Sequence, residues 1–123
     1  LADIILMEAE AYAYKGDLQN SAKLVNMIRE RARLNDLDAS KTSSKEAMVD
    51  AVLNERRLEL ALEGQRWFDL VRNGKVESVM NNLNSRDSGR LPLAKAYNEN
   101  SYLLPIPQTA IDENENLTQN PGY

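Results

Sequence analysis

Residues 55–70 read Glu-Arg-Arg-Leu-Glu-Leu-Ala-Leu-Glu-Gly-Gln-Arg-Trp-Phe-Asp-Leu, and this stretch decides the fold. A helical rotation of about 100° per residue directs Glu55 and Arg56 toward the apolar sides of the segment rather than toward water. Gly64 then interrupts the helical pattern three residues before Trp67, the only tryptophan of the chain. The stretch therefore points charges into the protein, and it is either a functional site or an unusually polar scaffold.

The charges of this stretch need partners, because an unpaired buried charge is costly. Glu55, Glu59 and Glu63 are spaced four residues apart, and like charges at that spacing on a helix repel one another. Positive charge must therefore lie close to them, and Arg56, Arg66 or a helix N-terminus are the candidates. We predict an internal ion-pair network that joins this long helix to a shorter helix after the glycine.

Apolar periodicity predicts five helices along the chain. They cover residues 3–15, 18–34, 44–63, 66–71 and 75–82. The first helix is apolar on two sides, so we expect it to lie between neighbours. One side carries Ile5, Ala9 and Tyr12, and the other carries Ile4, Met7, Ala11 and Tyr14. The short Gly16-Asp17 connection predicts that the second helix runs antiparallel to the first.

The third helix has a recognisable start and two apolar faces. Ser43 and Glu46 have the spacing of a capping box, which predicts that the helix begins there and continues to a break at Gly64. We expect Leu58 and Leu62 to belong to one of the apolar faces. The remaining gap, which faces solvent, contains Asp50, Asn54 and Arg57.

The C-terminal part of the chain is less regular. Residues 84–101 are rich in Asn, Ser and Gly and predict a loop. Pro105 and Pro107 restrain residues 102–107 to an extended conformation, after which Thr109 is the expected cap of a short turn. No pair of strands is convincing, so the predicted fold class is all-α.

The first two helices resemble a tetratricopeptide repeat, because Ala9, Tyr12, Gly16 and Asp17 stand at the spacing of that repeat. Ala22 falls one residue late, and no second copy is legible about 34 residues further on. We therefore predict tetratricopeptide-like helical hairpins with an irregular, extended C-terminal tail, in a single helical domain over residues 1–123.

Composition excludes several classes of function. The chain has 123 residues, 42% of them hydrophobic and 28% charged, which is typical of one globular domain. It contains no cysteine and no histidine, so zinc fingers, thiol nucleophiles and Ser-His-Asp triads are excluded. The net charge is −4 with scattered basic residues, which argues against a nucleic-acid-binding face. Asp112, Glu113 and Glu115 lack the spacing of a calcium loop, so we predict no metal site and no cofactor.

A catalytic interpretation of the charged stretch is possible but weaker than a structural one. Two of its carboxylates with an arginine would suit glycoside hydrolysis, yet glycosidase carboxylates face each other across a cleft, whereas these line one helix. We therefore predict no catalytic residue. Trp67 and Phe68 could stack on a sugar, but an aromatic pair among helical leucines is more often core. Tyr97 and Tyr102 are better candidates for exposed aromatics, although a structural role is preferred there too.

Two segments carry a family resemblance. The first is the 55–70 stretch, and its matching residues are Glu55, Arg57, Glu59, Glu63, Gly64, Arg66, Trp67 and Asp69. The second is residues 104–108, Leu-Pro-Ile-Pro-Gln, followed by 114–123, with Pro105 and Pro107 as the matching residues. Together they resemble the SusD/RagB family of nutrient-binding outer-membrane lipoproteins of Bacteroidetes, and residues 6–32 are similar to the same proteins. We refer to these ten matching positions as the signature residues.

The resemblance implies a binding protein rather than an enzyme, tethered to the cell surface of the outer membrane through a lipidated cysteine. It also implies an oligosaccharide or other nutrient as ligand and a SusC-like TonB-dependent transporter as partner, over whose barrel the binding protein sits as a lid. Family members are several times longer, and Leu1 enters helical periodicity without a preceding Met or signal peptide. We therefore expect a C-terminal fragment that is mainly scaffold in polysaccharide uptake.

No ligand-binding residue is transferred to this sequence, because the ligand-contacting aromatics of the family belong mainly to the part outside it. The ten signature residues are expected to be structural. Two other functions stay open: a tetratricopeptide-type protein–protein interaction module, which needs repeated hairpins, and a hydrolase that uses Glu55, Glu59 or Glu63.

Overall fold

The computed structural model describes residues 1–83 and 95–123, and in these ranges the protein is helical without a strand. Its helices are α1 (Ala2–Lys15), α2 (Leu18–Arg31), α3 (Lys45–Glu59), α4 (Arg66–Arg72), α5 (Val76–Met80) and α6 (Gln108–Glu113). Short 3₁₀ turns cover Ala39–Lys41 and Glu99–Tyr102. The all-α prediction is confirmed. Of the predicted loop at 84–101, residues 84–94 lie outside the described ranges.

Contacts divide the chain into two compact units, Leu1–Asp69 and Leu70–Tyr123. The first contains α1 to α3 and the start of α4, and the second contains α5 and α6. The charged stretch lies almost entirely in the first unit, and its side chains form ion pairs within residues 1–69.

Helices α1 and α2 form the predicted hairpin. Gly16 ends α1 in the left-handed conformation at φ 82°, which glycine adopts without steric cost. Asp17 begins α2: the Asn20 side-chain amide donates to its carboxylate at 2.7 Å and the Asn20 backbone N–H at 3.2 Å, and both bonds lower the pKa of that carboxyl. The buried Ser21 hydroxyl donates to the Ala9 carbonyl at 2.7 Å, so α2 folds back along α1.

One apolar core holds the first unit together. Helix α3 packs against α1 and, less extensively, against α2. The core residues are Ala2, Leu6, Ala9 and Ala13 of α1, Val25 and Ile28 of α2, and Met48, Val49, Ala51, Val52 and Leu53 of α3. Burying each of the larger side chains contributes about 1.5–3 kcal/mol relative to exposure. Helix α1 lies between neighbours as expected, because it packs against both α2 and α3. The second apolar side predicted for it is exposed at Ile4, Met7, Ala11 and Tyr14.

Helix α3 begins one residue later than the capping-box prediction. The N-cap is Ser44, whose hydroxyl oxygen accepts a hydrogen bond from the Ala47 N–H at 3.1 Å. Ser43 instead donates to the Ser40 carbonyl at 2.9 Å in the preceding turn. Either of the two adjacent serines can cap a helix, but the Ser43 hydroxyl bonds within the preceding turn, so Ser44 caps α3.

The predicted end of α3 at residue 63 is also wrong, because the helix stops at Glu59 with Leu60 as its C-cap. Leu62 and Gly64 both have positive φ, 69° and 77°, so the chain leaves the helical register before the glycine. Leu62 is consequently fully exposed at 105%, and Leu58 is half exposed. The prediction that these two leucines pack on an apolar face is therefore wrong, whereas Asp50, Asn54 and Arg57 face solvent as predicted.

In the second unit, the end of the chain fixes the extended segment 103–107. The Gln119 amide oxygen accepts from the Ile106 N–H at 2.8 Å, and its amide nitrogen donates to the Ile106 carbonyl at 3.0 Å. Asn120 donates to the Leu104 carbonyl at 2.6 Å. The extended conformation expected there is confirmed from residue 103, but Pro107 rather than Thr109 stands at the N-cap of α6.

Replacing Ser44 by alanine removes the acceptor of the Ala47 N–H, and we expect the free energy of unfolding to fall by about 1 kcal/mol. Ser43→Ala is the matched control and should change it by less than about 0.5 kcal/mol, because that serine lies outside the helix in an exposed turn. Urea unfolding followed by circular dichroism measures both. A larger loss for Ser43→Ala than for Ser44→Ala would contradict the assigned N-cap.

Candidate functional site

The charged stretch directs adjacent side chains of α3 to different neighbours. Glu55 and Arg56 are both buried, as the helical rotation predicts. Glu55 faces α2, where it meets Arg29, and Arg56 faces α1 and α4, where it meets Asp3 and Asp69. A single turn of α3 therefore ties three other helices by ionic contacts.

The contact between Arg56 and Asp69 is the most buried of these ion pairs. Arg56 Nε donates to both carboxylate oxygens of Asp69 at 3.0 Å, and the two side chains are 3% and 2% exposed. Arg56 Nη1 also donates to Asp3 Oδ1 at 2.7 Å. Burial by itself lowers the pKa of the guanidinium, but the hydrogen bonds and negative charges of Asp69 and Asp3 outweigh it and raise that pKa. The guanidinium is therefore held in its charged form.

Two further ion pairs connect α3 to α2. Arg29 Nη1 donates to Glu55 Oε2 at 2.9 Å, and its Nε donates to the Asn35 carbonyl at 2.8 Å. Arg29 of α2 therefore bonds both to α3 and to the loop that follows α2. One turn along, Arg31 pairs with Glu59 nearer the surface. Glu55 and Glu59 are thus each compensated by an arginine of α2.

The predicted network is confirmed, but the acidic residue that joins the two helices differs from the prediction. Asp69, rather than Glu63, is the acidic residue that joins α4 to α3. Glu63 is exposed, because the chain has already left the helix at Leu60. Arg66, the second candidate cation, donates from Nη1 to the Leu53 carbonyl at 3.0 Å.

Sequence reasoning missed Arg29, Arg31 and Asp3 as partners. For Arg29 a signal was present: it lies four residues after Val25 and next to Ile28, both buried, so a cation occupies the edge of an apolar face. A cation at such a position is expected to pair with a buried carboxylate on a neighbouring helix. Asp3 and Arg31 are more exposed, and nothing in their spacing distinguishes them from ordinary surface charges.

The aromatic residues are distributed differently from the prediction. Trp67 is half-buried and Phe68 is 64% exposed. The prediction that this aromatic pair belongs to the core is therefore wrong for Phe68 and only partly met for Trp67. Tyr97 and Tyr102 are half-buried, and Asn81 bonds the backbone of Tyr97 at both its N–H and its carbonyl. None of these four residues lines a described pocket.

The remaining signature residues occupy turns and surfaces. Arg57 is exposed and donates to the Asn54 side chain at 3.0 Å. No atom would meet a Cβ at Gly64 within 4 Å, so its positive φ rather than close packing requires glycine there. Pro105 and Pro107 are exposed and flank Ile106, which supplies the only backbone N–H of that tripeptide.

An open groove of about 800 Å³ lies along α2. It is lined by Leu18, Gln19, Ala22, Lys23, Asn26, Met27, Glu30, Asp36 and Thr42. Because the lining combines apolar residues with charges of both signs, it does not favour one chemical class of ligand. Within residues 1–83 and 95–123 no cluster of three or more carboxylates could hold a metal ion. The buried charges and this groove are thus separate features.

The chain matches the family model described as the SusD family over residues 1–123. The chain belongs to the SusD family. SusD-like protein P38 of Formosa agariphila is 38% identical over 96 residues, which are 73% of this chain and 19% of that protein. SusD-like protein P2 of the same organism is 31% identical over 129 residues, covering 99% of this chain and 25% of its own length.

Solved structures agree with this membership. A SusD superfamily protein from Bacteroides vulgatus is 31% identical with a TM-score of 0.78, over 99% of this chain and 26% of that one. A SusD-like protein from Bacteroides fragilis gives a TM-score of 0.77 at 31% identity, over 99% and 25%. The fold is therefore the tetratricopeptide-like helical fold of SusD-like proteins. The chain spans about a quarter or less of the length of these relatives.

No helix in the described part of the chain is both long and apolar enough to cross a membrane.

Asp69→Asn keeps the shape of the side chain but removes the charge that faces Arg56, so a buried guanidinium loses its main partner. We expect the free energy of unfolding to fall by roughly 3–5 kcal/mol. Glu63→Gln is the matched control, an exposed carboxylate of the same signature, and should change it by less than about 0.5 kcal/mol. Urea unfolding measures both, and equal small losses would contradict the buried pair.

Replacing both partners, as Arg56→Met with Asp69→Leu, separates charge from packing. The double variant has no unpaired buried charge, so it should be more stable than Asp69→Asn alone. A double variant less stable than the single one would mean that the contact acts through shape rather than through charge.

Proposed function

We propose that the chain is the C-terminal, mainly structural portion of a longer nutrient-binding lipoprotein of the outer-membrane surface. The longer protein captures glycans and passes them to a SusC-like TonB-dependent transporter in polysaccharide uptake. The observation that carries this proposal is the match to the SusD family along all 123 residues.

The buried ion pairs support a structural role for the 55–70 stretch. Glu55 is engaged by Arg29, Asp69 by Arg56, and Glu59 by Arg31, so these carboxylates and guanidinium groups have protein partners and hold helices. A binding surface for sugar would offer polar groups and aromatic faces to solvent. We therefore place the ligand site outside the buried charges and expect no enzymatic activity from them.

The interaction-module alternative has less support. It needs consecutive hairpins that line one groove, and in the described residues the α1–α2 hairpin is followed by a 3₁₀ turn and the single long helix α3. The groove on α2 is lined by residues of that single helix and of the loop after it, not by successive hairpins.

The first test compares oligosaccharide binding by the natural-length protein and by residues 1–123 alone. Isothermal titration calorimetry against a panel of oligosaccharides should give binding for the longer protein and weak or no binding for the shorter chain. Chromatography should recover the oligosaccharides unhydrolysed in both cases. Tight binding by residues 1–123 would contradict the placement of the site, and hydrolysis would contradict the binding role.

The second test concerns the transporter and the cell surface. Natural-length protein carrying an affinity tag, expressed in its own host and extracted with mild detergent, should co-purify with a TonB-dependent transporter. Protease added to intact cells should remove the protein, as expected for a surface-exposed lipoprotein. Recovery without any transporter, together with protection from protease, would contradict the proposed partner and location.

A further inference from the structure

The sequence contains one Asn-Gly pair, Asn73-Gly74, directly after α4. An asparagine followed by glycine is prone to deamidation, because the backbone nitrogen of the next residue attacks the side-chain amide, and glycine, which has no Cβ, hinders that attack least. Asn73 is half-buried and Gly74 is exposed. No described atom lies within 4 Å of the place that a Cβ of Gly74 would take. Packing around Gly74 therefore does not block the reaction.

The backbone turn at this pair holds the attacking nitrogen in a hydrogen bond. Gly74 has a left-handed φ of 62°, and its N–H donates to the Val71 carbonyl at 3.1 Å. The Lys75 N–H donates to the Leu70 carbonyl at 2.9 Å, which completes the Schellman motif that ends many helices. Leu70 and Val76, on either side of the turn, are buried. Because the Gly74 nitrogen must lose its proton before it attacks, its bond to Val71 opposes the reaction while the turn is closed.

The chemistry of the pair and the closed turn together define a conditional modification site. We propose that Asn73 is a deamidation site that the closed turn protects and that reacts when the turn opens. In the open turn the deprotonated Gly74 nitrogen bonds to the Asn73 side-chain carbon Cγ, the bond from Cγ to the side-chain nitrogen breaks, and ammonia leaves. The product is a cyclic imide. Water then opens this ring at either carbonyl and leaves aspartate or isoaspartate at position 73, so water is the only co-reactant.

The reaction makes the opening of the turn permanent. Aspartate puts a negative charge at the C-terminal end of α4, where the helix carbonyls already carry partial negative charge. Isoaspartate instead adds a methylene to the backbone between residues 73 and 74, which moves the N–H groups of Gly74 and Lys75 away from their acceptors. Both products destabilise the closed turn, so an opening event is recorded covalently. This inference is independent of the proposed ligand and transporter.

Peptide mapping by mass spectrometry measures the reaction at this one position. The natural-length protein is incubated at neutral pH, either folded or in urea, and a glutamate-specific protease then releases residues 64–77 by cleaving after Glu63 and Glu77. The mass difference between an amide and a carboxyl group reports the modified fraction. We expect deamidation of Asn73 in the folded protein to be at least about tenfold slower than in urea, because a closed turn reacts only through its open fraction.

A pair of variants at Lys75 tests whether the turn is what protects the site. Lys75→Pro removes the N–H that bonds to Leu70 and leaves the Asn73-Gly74 pair intact, whereas Lys75→Ala keeps that N–H and is the matched control. We expect folded Lys75→Pro to deamidate several-fold faster than the folded parent and at the same rate in urea, with Lys75→Ala close to the parent in both. Equal rates for the two folded variants would overturn the proposal. A folded parent that reacts as fast as the urea-unfolded chain, or an unfolded chain that does not react, would overturn it as well.

A measurement on the parent alone decides the matter where Lys75→Pro does not fold. Urea at concentrations below the unfolding transition should raise the deamidation rate at Asn73 and the hydrogen exchange of the Gly74 and Lys75 amides in the same proportion. Exchange that becomes faster while deamidation stays unchanged would contradict the protective role of the turn.

Discussion

The first unit of this structure depends on the buried contact between the Arg56 guanidinium and the Asp69 carboxylate. A charge removed from water must be compensated at short range, and here one nitrogen reaches both oxygens of the carboxylate at 3.0 Å while a second reaches Asp3 at 2.7 Å. These contacts fix where α4 begins relative to α3 and attach the first turn of α1. The Arg29–Glu55 pair does the same for α2, so the helices are oriented by charge as well as by apolar packing.

Much of this arrangement could be predicted from the sequence, and the failures have physical causes. Helical rotation was sufficient to predict that Glu55 and Arg56 are buried, because the helix is regular there. The same rotation misplaced Leu62 and Glu63, because the chain enters the left-handed region at Leu62, where a leucine rarely does. The partners Arg29 and Asp3 lie 26 and 53 positions away along the chain from the residues they bond. Such pairing follows from tertiary packing, which local periodicity does not encode.

The functional assignment follows from the separation of two kinds of residue. Family membership rests on a match along all 123 residues, and the buried signature residues Glu55 and Asp69 bond to protein partners. The open groove on α2 lies apart from these buried ion pairs. A segment whose buried charges pair with one another is consistent with the proposal of a scaffold that positions a ligand site located outside it.

The central claim is that the charged stretch holds the fold and does not contact the ligand. Its most direct test is Glu55→Gln in the natural-length protein, with the melting temperature and the Kd for its oligosaccharide measured on the same preparation. We predict a lower melting temperature, because Arg29 loses a charged partner, and an unchanged Kd at a temperature where the variant is folded. A weakened Kd with an unchanged melting temperature would contradict the account.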